Sequence, residues 1–268
     1  MNFIEKLAQI SLKNKSLLCV GLDPDLSLMP EQIGIYEFNK DIIDATADLV
    51  CAYKPNIAFY EAMGNDGLEA LKKTRDYIPK DIPVIIDAKR GDIGNTAKAY
   101  AKSLFDYFNF DAITASPYLG YDSLEPFIER RDRGIFILCR TSNPGAADFQ
   151  SLYVATNKSK KMLYEVVAEK VSEWNKHGNL GLVVGATYPE ELKLIRERYP
   201  QMPLLIPGVG TQGGELKQVV KWGVDRGRQR TIINSSRQIL YASRDRNFAA
   251  AAGKAARELR DHINEYLA

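Results

Sequence analysis

The sequence predicts an α/β protein folded as a single-domain (β/α)8 TIM barrel over residues 1–268. Three observations point there. The chain has 268 residues, 45% of them hydrophobic, which suits one α/β barrel better than two ordinary domains. Eight short apolar runs recur along it, separated by stretches with helical spacing. Several of those runs end in polar or charged residues, as expected of parallel barrel strands, whose C-terminal ends carry reactive groups.

The expected strands are 17–22, 49–54, 83–87, 112–115, 134–139, 181–184, 204–207 and 231–234. Amphipathic helical stretches lie between most of them, such as 42–49, 95–108 and 189–198. Strands alternating with helices imply right-handed βαβ units and a parallel sheet, and eight such units favour closure into a barrel over an open sheet. The longest irregular insertion, 143–157, follows the fifth strand; it reads as a lid or as an extended loop before a helix at 161–174. No repeat, low-complexity segment or linker divides the chain.

Composition narrows the function. The 36 basic and 34 acidic residues give a formal net charge of +2 and are interleaved, so no basic tail for nucleic acid is expected. No apolar run is long enough to span a membrane, and Met1-Asn2-Phe3-Ile4-Glu5-Lys6 lacks the pattern of a signal peptide, so a cytoplasmic protein is expected. Cys19, Cys51 and Cys139 are odd in number and lie in or beside apolar runs, which reads as small buried hydrophobes in a reducing compartment. Only His177 and His262 occur, both in polar stretches, so a Ser-His-Asp triad or a histidine-rich zinc site is hard to build.

The third strand meets Asp87 after Val84-Ile85-Ile86. If the strand continues through Lys89, a period of two sets Asp87 and Lys89 on one face, towards the barrel mouth. Asp92 follows after Gly91. Lys54, ending the second strand, is expected to meet Asp87 from next door. The result is an array of two carboxylates and two ammoniums. A structural ion-pair network is the plainer alternative, but burying four charges costs several kcal/mol per ion before pairing, and stability rarely demands it.

The seventh strand runs into Pro207-Gly208-Val209-Gly210-Thr211-Gln212-Gly213-Gly214 and the eighth into Ser235-Ser236-Arg237. Loops seven and eight of this fold often hold phosphate; glycines permit close backbone approach, and helix-start amides with an arginine supply donors and positive charge. Asp23, in Val20-Gly21-Leu22-Asp23-Pro24, can accept from sugar hydroxyls, although an Asp-Pro turn explains the same residues. Arg140-Thr141-Ser142-Asn143-Pro144-Gly145 offers an amide-and-hydroxyl rim for a polar ring, or equally a capped turn.

Together these motifs resemble the orotidine 5′-phosphate decarboxylase family, specifically its longer bacterial branch. Asp87-Ala88-Lys89-Arg90-Gly91-Asp92-Ile93-Gly94-Asn95-Thr96 matches that family's Asp-x-Lys-x-x-Asp core, Lys54 occupies the expected place, and residues 207–214 match its phosphate loop. Gln238, after Arg237, departs from the glycine usual there. The resemblance implies decarboxylation of orotidine 5′-monophosphate to UMP and carbon dioxide, in pyrimidine biosynthesis, without metal or organic cofactor. It implies a homodimer in which Asp92 and Thr96 reach the partner's site, and phosphate binding by Gln212, Ser236 and Arg237. In that reading Lys89 stabilises the ring carbanion and protonates it, Asp87 and Asp92 aim Lys89, and Lys54 balances the array and binds ribose.

Three alternatives stay open at this stage. A sugar-phosphate decarboxylase or aldolase, metal-assisted or working through a lysine Schiff base, would use the same barrel. A non-catalytic phosphometabolite-binding protein would need the phosphate loops but not the acid–lysine array.

Overall fold

The apolar runs are strands because each buries nearly every side chain it carries, which only a sheet covered on both faces allows. The computed structural model describes residues 1–155, 160–209 and 213–268. Among them, eight parallel strands form the barrel: β1 (Leu18–Leu22), β2 (Ala52–Pro55), β3 (Ile85–Arg90), β4 (Ala112–Ala115), β5 (Gly134–Arg140), β8 (Leu180–Val184), β9 (Leu204–Ile206) and β10 (Thr231–Ser235). Two further strands, β6 (Tyr153–Ala155) and β7 (Lys160–Met162), pair antiparallel within the insertion. The barrel order is β2-β1-β10-β9-β8-β5-β4-β3. Parallel bridges Tyr53↔Val84 and Asn56↔Asp87 join its two ends and close the ring. The expected fold class is therefore observed, with all eight strands within three residues of their anticipated starts.

Helices cover the outside because each presents a buried face to the strands. Helix Phe3–Asn14 starts with a capping box, Asn2 accepting from the Glu5 amide while Glu5 returns a bond to the Asn2 amide. Helix Pro189–Arg198 has the expected bounds. The stretch expected at 42–49 is the end of a longer helix, Ile35–Thr46, and Leu49 packs in the connection rather than in β2. The stretch at 95–108 begins as the α-helix Gly94–Ala101 and widens into a π-helix at Lys102–Tyr107, closed by the Phe108 amide bonding the Ser103 carbonyl. The insertion holds a 3₁₀ turn (Pro144–Asp148) and the β6–β7 pair before helix Leu163–Trp174.

At the N-terminal end of the barrel, Asp111 ties three elements together. It accepts from Lys6 at 2.8 Å, from Arg75 at 3.3 Å and from the Val84 amide at 2.9 Å. The three cysteines are free and buried, and burial pushes the Cys19 and Cys139 thiols up to about 12, so they are inert core residues. His177 sits in the turn before β8, on Glu129, and His262 lies on the last helix, Phe248–Leu267. Among the described residues, no helix is long and apolar enough to cross a membrane.

Candidate active site at the barrel mouth

The C-terminal strand ends bring Lys54, Asp87 and Lys89 into one cluster. Asp87 Oδ2 accepts from Lys54 Nζ at 3.2 Å, and Oδ1 accepts from Lys89 Nζ at 2.8 Å. Thr114, one strand over on β4, donates to Asp87 Oδ1 at 2.7 Å and accepts from the Lys89 amide at 3.0 Å. Burial by itself would raise the Asp87 carboxyl, but Lys54, Lys89 and the Thr114 hydroxyl outweigh it and hold it well below the usual carboxylate range. Burial works to lower the Lys54 ammonium, yet Asp87 and Asp23 reverse that and raise it. Both groups are therefore charged at neutral pH. The two lysines differ in access: the Lys54 side chain is 5% exposed, whereas that of Lys89 is 51% exposed and open to the mouth.

The route by which Lys89 reaches Asp87 differs from regular alternation. The β3–β4 register runs Ile86↔Ile113 and then Arg90↔Ala115, so three residues of β3 oppose the single Thr114. Lys89 takes up the slack with φ +48°, in the left-handed region, at a cost of about 1–3 kcal/mol for a residue with a side chain. This bulge turns the ammonium back onto Asp87. The two residues share a face, as expected, but through a bulge and not an unbroken period of two.

Asp92 does not join the cluster within the chain. Its carboxylate accepts from the neighbouring Ile93 amide at 2.8 Å, and among the described residues it makes no ion pair. Within one chain the expected four-charge array therefore shows three members, Lys54, Asp87 and Lys89. The backbone at Gly91 passes so close to β4 that a Cβ on Gly91 would lie 2.6 Å from the Ser116 carbonyl oxygen. Thr96 is exposed in the first turn of helix Gly94–Ala101, on the same outward segment.

On the other side of β1 lies a cleft of about 380 Å3, lined by Asp23, Gly208, Asn234, Ser236, Arg237 and Gln238 among others. Asp23 is held by its backbone: the Tyr241 hydroxyl donates to the Asp23 carbonyl at 2.9 Å and accepts from the Asp25 amide at 2.7 Å. Asp23 Oδ1 and Asn234 Oδ1 are buried without a hydrogen-bond partner among the described residues, so both are available as acceptors for a polar ligand. Ser236 packs so tightly on Gly21 that a Cβ there would lie 1.9 Å from its hydroxyl. The helix after Ser236 is a single turn, Arg237–Leu240, so the positive charge of the cleft comes from Arg237 and not from a long helix. Gln238, exposed in that turn and on the cleft wall, needs no glycine conformation. Gln212, with Gly210 and Thr211, lies outside the described residues.

Ser142 stands between the two halves of the mouth. A Cβ on Gly185 would lie 2.9 Å from the Ser142 amide nitrogen, and one on Gly208 would lie 3.4 Å from its hydroxyl. Gly208 has φ +85°, where a side chain is strained in any case. Thr114 and Asn234 are the site residues that sequence reasoning missed. Each is a polar residue inside an expected strand, and a polar side chain in an otherwise buried apolar run is the signal that marks them.

This arrangement can be set beside known proteins. A family model described as orotidine 5′-phosphate decarboxylase / HUMPS family matches residues 16–252. The chain belongs to this family. It is 56% identical over 266 residues to an orotidine 5′-phosphate decarboxylase of Dehalococcoides mccartyi (strain CBDB1), covering 99% of this chain and 98% of that protein. A second decarboxylase of that name, from Herpetosiphon aurantiacus, is 54% identical over 260 residues, with 95% of each chain covered. Among solved structures, the Leishmania donovani OMP decarboxylase superposes with a TM-score of 0.86 at 41% identity, over 99% of this chain and 98% of that one. Membership of the orotidine 5′-phosphate decarboxylase / HUMPS family agrees with the resemblance carried by residues 87–96 and 207–214.

Proposed function

We propose that the chain decarboxylates orotidine 5′-monophosphate to uridine 5′-monophosphate and carbon dioxide. The observation that carries this reading is the Lys54–Asp87–Lys89 cluster at the strand ends, in which only Lys89 is open to the mouth. Breaking the bond between ring carbon and carboxylate leaves its electron pair in an sp2 orbital with no conjugated sink. The protein has to stabilise that charge, and a preorganised ammonium in a water-poor site does so most strongly. Lys89 faces the carbon, stabilises the carbanion and gives it a proton, becoming a neutral amine that solvent reprotonates. Asp87 aims Lys89. A substrate carboxylate about 4 Å from Asp87 would be repelled by roughly 4 kcal/mol at an effective dielectric of 20; this ground-state effect ranks below transition-state stabilisation.

Asp23 and Lys54 take the ribose, Ser142 the pyrimidine ring, and Gln212, Ser236 and Arg237 the phosphate. Phosphate binding far from the breaking bond supplies energy for closing the site and excluding water. The chain works as one catalytic domain over residues 1–268, in the cytoplasm, as a homodimer whose Asp92 and Thr96 serve the partner's site. The outward course of residues 91–96 and the exposed Ile93, Tyr118 and Leu119 nearby support that assembly. No metal or organic cofactor takes part. Two ammoniums already occupy the Asp87 carboxylate, which disfavours a divalent cation there and with it a metal-assisted aldolase. The purified protein should consume orotidine monophosphate, read as loss of ultraviolet absorbance, with the same rate in a chelator. Lys89→Ala should abolish turnover while still binding uridine 5′-monophosphate. Absence of turnover by the wild type, or its loss in chelator, overturns the reading.

A further inference from the structure

We infer that Gln150, from the insertion after β5, is a positioning residue that clamps the strand end carrying Ser142 and so sets the recognition of the substrate ring. This rests on the decarboxylase reading, in which Ser142 meets the pyrimidine.

Gln150 bonds Thr141 at two points. Its Oε1 accepts from the Thr141 amide at 2.8 Å and its Nε2 donates to Thr141 Oγ1 at 2.8 Å. A backbone amide can only donate, so the first bond fixes which end of the Gln150 amide is oxygen. Thr141 Oγ1, having accepted, donates onward to Asn143 Oδ1 at 2.7 Å. The bonds therefore run in one direction, from Gln150 through Thr141 to Asn143, and span Ser142 from both sides.

The clamp is itself anchored. Arg140, 2% exposed at the end of β5, donates to Gln150 Oε1 at 3.4 Å, pairs with Glu191 and lies over the Tyr188 ring at 3.8 Å from its centre. The Gln150 carbonyl accepts from the Tyr164 amide at 3.1 Å, and the Gly185 amide donates to the Arg140 carbonyl at 2.7 Å. Gly185 packs against the Ser142 backbone and Gly208 against its side chain. Ser142 thus has a floor in Gly185, a neighbour in the phosphate loop and, through Thr141 beside it, a two-point tie to the insertion. Of the two readings that the sequence leaves open for residues 143–157, a lid or an extended loop, this end of the segment is neither: it is a brace.

The test compares two competitive inhibitors that share ribose and phosphate but differ in the ring. Gln150→Leu should weaken uridine 5′-monophosphate roughly ten- to a hundredfold, the effect of two lost hydrogen bonds, and leave ribose 5-phosphate inhibition unchanged. Gln150→Glu, whose carboxylate keeps the bond from the Thr141 amide but can take the Thr141 hydroxyl proton only at the expense of Asn143, should restore part of the affinity for uridine 5′-monophosphate. Thr141→Val, which keeps the amide bond only, should fall between and serves if Gln150→Leu does not fold. Equal weakening of both inhibitors, or of neither, overturns the inference while wild-type turnover stands. A wild type without turnover overturns the decarboxylase reading instead.

Discussion

Asp87 is the residue on which the mouth turns, since both lysines and Thr114 bond its carboxylate. Thr114→Val keeps shape but removes the hydroxyl that steadies both Asp87 and the Lys89 amide. A hydrogen bond to a charged group contributes about 1.5–3 kcal/mol to folding stability, so the variant should lose about that much unfolding free energy, and kcat should fall about tenfold or more as Asp87 and Lys89 lose a fixed partner. Steady-state kinetics of the variant check this. Ionisation of Asp87 adds a pH signature. Its folded pKa lies below the unfolded value of about 3.9, so the pairing stabilises the fold above that pH and is lost as pH falls through the depressed value. Asp87→Asn leaves Lys54 buried without its partner and should lower stability by roughly 3 kcal/mol at pH 7. The gap between variant and wild type should narrow below about pH 4; urea unfolding at pH 7 and pH 3 reads it. Lys54 and Asp87 were legible as charges ending apolar runs. The position of Lys89 was legible but its bulge was not, because strand period carries no information on where a register slips. Thr114 was missed because threonine is a common strand residue whether or not its hydroxyl is used.

At the scale of elements, the site depends on how closely strands approach. β1 and the turn after β10 meet at Gly21, where even a methyl group would occupy the place of the Ser236 hydroxyl. Gly21→Ala should push Ser236 aside and raise KM about tenfold with kcat largely kept, the pattern of lost uniform binding. If KM stays at the wild-type value, Ser236 is not a phosphate ligand. Strand identities and order were readable because apolar runs and polar ends recur in register with the βα unit. The antiparallel β6–β7 pair was not, since its three-residue strands, Tyr-Val-Ala and Lys-Lys-Met, are too short for a period to show.

Across the whole molecule, the barrel carries a second ion cluster at the end away from the chemistry. Asp111, at the end opposite the mouth, holds Lys6 and Arg75, whose side chains are each 9% exposed. Asp111→Ala leaves two buried cations unpaired and should lower unfolding free energy by about 3–5 kcal/mol, while the kcat of the folded fraction stays near wild type. Calorimetry with active-site titration separates the two effects. Shared sites give a sharper test of assembly. Lys89→Ala and Asp92→Ala are each expected to be inactive as homodimers. Mixed and allowed to exchange, they should recover about a quarter of wild-type activity, because half the dimers are mixed and each has one intact site. Mixtures that stay inactive after exchange would place Asp92 outside the partner's site.

The barrel and the charged strand ends at Asp87 and Lys89 were determined by residue types and their order, because burying apolar runs and exposing charged ends leaves few arrangements for such a chain. The same order could not say that Lys89 reaches Asp87 through a left-handed bulge, or that Asp92 turns away. Nor could it place Thr114 between the charges or tie Gln150 to Thr141 beside Ser142. Each of these depends on which backbones approach within bonding distance across positions far apart in the chain, and that is decided only when the barrel closes and packs.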